Sequence, residues 1–168
     1  MIEWIYFPKS DRPHSLCEPI VQAFSASLAG IGSAENKLDS NSVLAVVGDG
    51  LRSLGFTVET GKKYDQKIYV PVLFGHGGKV TKAFEVDAFH PGERFVLEIE
   101  AGRAIDNNQF LKDLFEACMM HDADYFCVAV RRDYRGKDDF AIVTTFLETL
   151  YASRRLSLPL KGILVIGY

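Results

Sequence analysis

Cysteine is scarce in this chain, and the three present form no metal or redox motif: Cys17, Cys118 and Cys127 lie far apart in apolar segments with no CxxC spacing. They read as buried reduced thiols rather than as disulfides or zinc ligands. Histidine is nearly as sparse. His14, His76, His90 and His121 share no ligand spacing, and no Ser/His/Asp or Cys/His set can be assembled from the order of residues. Long apolar runs are missing too. Met1–Ile20 carries Glu3, Lys9, Asp11, Arg12 and Glu18, which argues against a signal peptide or membrane span and makes the cytoplasm the default expectation. Nor is there an excess of positive charge: 19 Lys and Arg against 22 Asp and Glu give a net charge of −3. Affinity for a polyanion therefore has to come from local basic clusters.

What the chain does have is an ordinary globular composition, 48% hydrophobic and 24% charged, outside the range in which chains stay disordered. Its 168 residues fit one domain, read as a helical N-terminal extension over 1–42 and a core over 43–168. Ser15 and Glu18 make a capping-box pattern before Leu16, Ile20, Val21, Phe24 and Leu28, which recur at helical spacing until Gly30. Ser42 is placed to cap a second helix, through Leu54, that Gly48 and Gly50 weaken. Strands are expected over 56–60, 68–74, 80–89 and 94–101, with Gly75-His76-Gly77-Gly78 as a hairpin turn rather than a phosphate loop, because Lys79 is followed by valine and a strand. Asp106 is placed to cap a helix carrying Phe110, Leu111, Leu114, Phe115 and Cys118. The solid apolar run Tyr125–Val130 has the character of a strand buried on both faces. A helix over 140–151 and a strand over 162–167 complete the order ααββββαβαβ, which implies an α/β fold of three layers, a mixed sheet flanked by helices.

The residues around Pro91-Gly92 carry the chemistry. Phe84, Val86 and Ala88 alternate with Glu85, Asp87 and Phe89, and Phe95, Leu97 and Ile99 alternate with Val96, Glu98 and Glu100. A turn of two or four residues centred on Pro91-Gly92 sets Glu85 opposite Glu98 and Asp87 opposite Val96, so that Glu85, Asp87, Glu98 and Glu100 share one side. Asp87 and Glu98 then become diagonal neighbours roughly 7–8 Å apart, close enough to share one ion. Clustered like charges destabilise a ladder unless a cation or raised pKa values compensate, and a hard divalent ion such as Mg²⁺ or Mn²⁺ suits carboxylate oxygens. An acidic face that is merely solvated is the plain alternative.

Asp87 followed eleven residues later by Glu98-Ile99-Glu100, between helix-strand units on either side, resembles the PD-(D/E)xK nuclease superfamily with its restriction-endonuclease-like fold, over roughly 43–130. The resemblance implies a Mg²⁺- or Mn²⁺-dependent phosphodiesterase acting on nucleic acid, DNA first, with Asp87 and Glu98 as metal ligands. Glu100 stands where the motif has lysine and Val86 where it often has proline. The first departure leaves the lysine's task to Glu100, as a base toward the attacking water or a ligand of a second ion. It also keeps open a catalytically inactive nuclease-fold domain that binds nucleic acid or a protein partner.

Around this motif, Glu85 is a possible accessory acid. Gln109 reads first as closing a capping box with Asp106, and otherwise as a neighbour of the site. Glu35 and Asp49 are further acids that a helix can donate, although surface charge is the simpler reading. Arg103, Arg131, Arg132 and Arg135 are placed for phosphate contacts, with Tyr134 available to stack. A homodimer is left open, and no membrane partner is expected.

Overall fold

The computed structural model describes residues 1–168. Eight strands and five helices follow one another: β1 (Glu3–Phe7), α1 (Cys17–Ala26), α2 (Leu28–Ile31), α3 (Ser40–Ser53), β2 (Thr57–Val58), β3 (Ile68–Phe74), β4 (Val80–Val86), β5 (Ala88–His90), β6 (Phe95–Glu100), α4 (Gln109–Met119), β7 (Tyr125–Val130), α5 (Asp139–Ser153) and β8 (Gly162–Gly167). β7 and β8 are uninterrupted apolar runs and almost wholly buried, as parallel strands covered on both faces must be. They pair in parallel with each other, and β6 joins β7 in parallel. Antiparallel strands extend the sheet on both sides to give six strands in the order β1-β8-β7-β6-β5-β2. β3 and β4 pair only with each other, as a separate ribbon. The protein is an α/β fold, a mixed sheet flanked by helices.

Strand alternation splits the core into two layers. Phe95, Leu97 and Ile99 of β6, with Cys127, Ala129, Leu164 and Ile166, face α1 and α3. Val96, Phe126, Val128, Ile163 and Val165 face α4 and α5. The same parity puts Glu98 and Glu100 on the α4 side, at positions where that layer is otherwise apolar. α1 and α3 touch closely at Gly50, where an added Cβ would come within 2.9 Å of the Ala23 side chain. The glycine expected to weaken α3 is the one that lets the two helices meet.

Several expectations change. β1 was not anticipated, although Glu3-Trp4-Ile5-Tyr6-Phe7 is rich in β-formers; residues 1–42 thus contribute a sheet strand as well as helices. Ser15 does not cap α1, whose cap position is Leu16 without a side-chain bond. At α3 the capping side chain is Asp39, whose carboxylate accepts from the Ser42 N–H at 2.8 Å. α4 starts after Asn108 in a left-handed conformation, not at Asp106, whose carboxylate instead accepts from Lys137 Nζ at 3.3 Å. The strand expected over 80–89 breaks at Asp87, where the chain leaves the ribbon and enters the main sheet.

Candidate functional site

The turn between β5 and β6 fixes which side chains face one another. The ladder pairs Ala88 with Leu97, Phe89 with Val96 and His90 with Phe95, so the turn is Pro91–Arg94, centred one residue later than the sequence suggests. Two interactions move it. The His90 ring accepts a hydrogen bond from the Glu93 N–H at 3.1 Å. Arg94, with φ +56°, leaves the strand to pair with Asp122 and Asp124 at 3.2 and 3.1 Å. The expected pairs Glu85–Glu98 and Asp87–Val96 are therefore not formed. The shift is two residues, an even number, so side-chain parity survives. Asp87 lies level with Glu98, one step beyond the Ala88–Leu97 pair.

Asp87 is held by two backbone donors. Its carbonyl accepts from the Glu59 N–H at 2.8 Å and its carboxylate from the Ile99 N–H at 2.7 Å, within the strand that carries Glu98 and Glu100. Asp87, Glu98, Glu100 and Asp113 line one cavity of about 240 Å³, with Lys67 and Lys112 also in its wall. Glu85 reaches only the rim, where it is ion-paired to Lys67 and sits opposite Tyr69 in the ribbon. Gln109 closes no capping box; its amide donates to Asp113 Oδ1 at 3.0 Å and it too lines the cavity. Glu35 and Asp49 do not line the cavity, and Asp49 pairs with Arg52 on the surface.

Asp113 is the residue that motif reading missed. It occupies the buried stripe Phe110, Asp113, Leu114 and Ala117 of α4 and is 6% exposed. A carboxylate in line with Phe110, Leu114 and Ala117 on the apolar stripe of a helix was the available signal. Its Oδ2 is buried with no hydrogen-bond donor when the neighbouring carboxyls are ionised; a proton on Glu100 would supply one. Glu59, Lys67 and Lys112 were also missed, because they come from a two-residue strand's end, a loop and a helix that only the fold brings together.

Crowding this many carboxyls out of water holds protons on them. Desolvation is the main cause in each case, and for Asp87, Glu98 and Glu100 the charges of neighbouring acids add to it. Asp87 is pushed up to about 7, even though the Ile99 N–H pulls it down. Glu100 is pushed up to about 9, with Asp113 as its chief partner. Glu98 is raised well above the usual range by burial and then by Asp87, and Asp113 is raised as well. No three His, Cys, Asp or Glu side chains are arranged to hold a metal ion by themselves.

A basic cavity adjoins the carboxylate cavity. Of about 500 Å³, it shares Ser40 and Glu100 with the acidic one and is lined by Lys37, Lys62, Arg103 and Arg131. A third, of about 480 Å³, continues past Lys37 and Arg131 to Arg135. Tyr134 stands at the junction, its ring centre 5.3 Å from the Arg131 guanidinium and 5.1 Å from that of Arg135. The structure gathers Arg103, Arg131 and Arg135 but not Arg132, which turns toward the N-terminus and pairs with Glu3 at 2.9 Å.

No protein-family model matches the chain, and no curated protein is significantly similar to it. No helix is long and apolar enough to cross a membrane.

Proposed function

We propose that this protein is a Mg²⁺- or Mn²⁺-dependent phosphodiesterase acting on DNA, with a restriction-endonuclease-like fold. The observation that carries the reading is the cavity in which Asp87, Glu98, Glu100 and Asp113 converge, beside a cavity lined by Lys37, Lys62, Arg103 and Arg131. Four acids facing one another out of water favour a bound cation or bound protons. Mg²⁺ commonly keeps several waters and takes only one or two protein carboxylates, so a donor set short of three preformed ligands suits it. Asp87 and Glu98 would hold the ion, with waters completing its coordination. Such an ion would supply Lewis-acid polarisation of the phosphate and ease deprotonation of the attacking water.

The remaining roles fall to the chain. Glu100, on the same face of β6, would accept a proton from the attacking water once a bound cation has displaced its own. It cannot bring the positive charge of the motif lysine; Lys67 and Lys112 in the cavity wall are the available substitutes. Arg103, Arg131 and Arg135 would take the phosphates on either side, the basic cavities making up locally for a net charge of −3.

A catalytically inactive nucleic-acid-binding domain is the second reading, favoured by Glu100 in the lysine position. Incubating the wild-type chain with labelled DNA and RNA, with Mg²⁺, Mn²⁺ or a chelator, separates the two. Cleavage that requires the metal supports the enzyme, whereas binding without cleavage under every condition supports the inactive domain.

A further inference from the structure

The β3–β4 ribbon serves no purpose in the main sheet, and its two halves differ in character. Near its base Val70 and Val86 are buried in the core layer beneath α4 and α5, with Ile68, Val72 and Phe84 packed beside them. Beyond Val72 and Phe84 it leaves the molecule. Leu73, Phe74 and Val80 are 58%, 53% and 51% exposed, a concentration of apolar surface that a soluble chain ordinarily buries. Lys79 and Lys82 are exposed among them, Lys82 Nζ lying 5.0 Å from the Phe84 ring centre. No acidic residue occurs between Lys67 and Phe84, in a chain that is acidic as a whole.

The ribbon's position gives this tip a purpose. Lys67 and Glu85, at its foot, line the carboxylate cavity, and Asp87 follows directly where β4 ends. Leu73 and Phe74 reach about 7 Å out from that rim at strand rise, with the exposed Gly75–Gly78 turn beyond them. A two-stranded ribbon is one of the two elements that fit the major groove of duplex DNA. We propose that the β3–β4 ribbon is an arm that enters a groove of double-stranded DNA, Lys79 and Lys82 against phosphates and Leu73, Phe74 and Val80 against base edges and sugars. The arm thereby sets a backbone phosphate over the adjacent carboxylates. This deepens the phosphodiesterase reading and rests on it, naming duplex as the substrate class.

Two variants of the full chain test the arm. Lys79→Ser/Lys82→Ser removes the charge; Leu73→Thr/Phe74→Thr/Val80→Thr removes the apolar tip and keeps residues that favour strands. Binding of a labelled duplex and of its single strand is measured against salt concentration with a chelator present, beside the Mg²⁺-dependent melting of each variant. The charge variant is expected to lower the salt slope for duplex by about 1.8, near 0.9 for each phosphate that is no longer neutralised. The tip variant is expected to weaken duplex binding about tenfold or more. Single-strand binding and the Mg²⁺ response should stay as in the wild type. Unchanged duplex affinity and slope in both variants overturn the arm, as does a wild type that binds and cleaves only single strands; both leave the phosphodiesterase reading standing. Loss of binding to phosphatidylcholine–phosphatidylserine vesicles with duplex binding intact assigns the tip to a lipid surface and also overturns it. A wild type that neither binds nor cleaves any nucleic acid removes the arm and the phosphodiesterase reading together.

Discussion

A carboxylate on the apolar side of a helix destabilises the fold unless both its oxygens find donors; Asp113 has one from Gln109, and its second oxygen has one only while Glu100 keeps its proton. Replacing it by leucine, of similar shape, matches Phe110, Leu114 and Ala117 along the stripe and removes the buried carboxyl. Asp113→Leu is expected to melt higher than wild type in chelator, by roughly 1 kcal/mol or more, as substitutions at a strained functional position can. The same variant should lose part of the stabilisation that Mg²⁺ gives, which for wild type reaches about 2.7 kcal/mol at a hundredfold excess over Kd. Asp87→Asn should lose most of the Mg²⁺ response, without the higher baseline, because its side chain must still satisfy the Ile99 N–H. Calorimetric melting with and without Mg²⁺ reads both effects, and a full metal response in Asp87→Asn would place the ion elsewhere.

The loop after β6 shows how elements rather than residues set the site. Gly102, at φ +102°, lies under the Tyr134 ring, so closely that any Cβ there collides with the ring. Tyr134 comes from the loop between β7 and α5, so this packing ties the exit of the acidic strand to the arginine-bearing loop. Gly102→Ala is expected to lower stability by roughly 1–3 kcal/mol, the range for backbone strain at a non-glycine residue, with urea unfolding as the measurement. Near-wild-type stability would mean that the loop yields freely. How far sequence reached is visible in the same elements. β7 and β8 were legible from their apolar runs and β6 from its alternation, and the shared face of Glu98 and Glu100 follows from strand parity alone. The pairing of β5 with β6 was not legible, because a histidine ring bond and two Arg94 ion pairs chose the turn. Asp113, Lys67 and Lys112 are separated from the motif by whole elements, and only three-dimensional packing assembles them.

At the scale of the whole molecule the buried acids govern how stability responds to pH. Asp87 and Glu100 hold protons in the folded chain up to about 7 and about 9, against ordinary values of 3.8 and 4.5. Glu98 and Asp113 shift the same way. Asp139, raised to about 6 first by burial and then by Asp106, adds to the trend. The folded state then binds more protons than the unfolded one, so stability in chelator is expected to fall as pH rises from about 4 through 9. Since Mg²⁺ competes with those protons, its stabilising effect should grow over the same range. Melting scans at a series of pH values check both; a stability that climbs toward pH 9 in chelator would contradict the buried cluster.

Whether this cavity cleaves phosphodiesters is the central question, and the direct measurement is the rate of DNA cleavage by wild type and by Glu100→Gln at equal Mg²⁺. The substitution keeps the side chain's size and removes its capacity to accept a proton. The expected result is metal-dependent cleavage by the wild type and a loss of about a hundredfold or more in Glu100→Gln, the low end for a positioned general base, with folding intact by circular dichroism. Equal rates in the two proteins would contradict the role given to Glu100, and no cleavage by the wild type on any nucleic acid would contradict the phosphodiesterase itself.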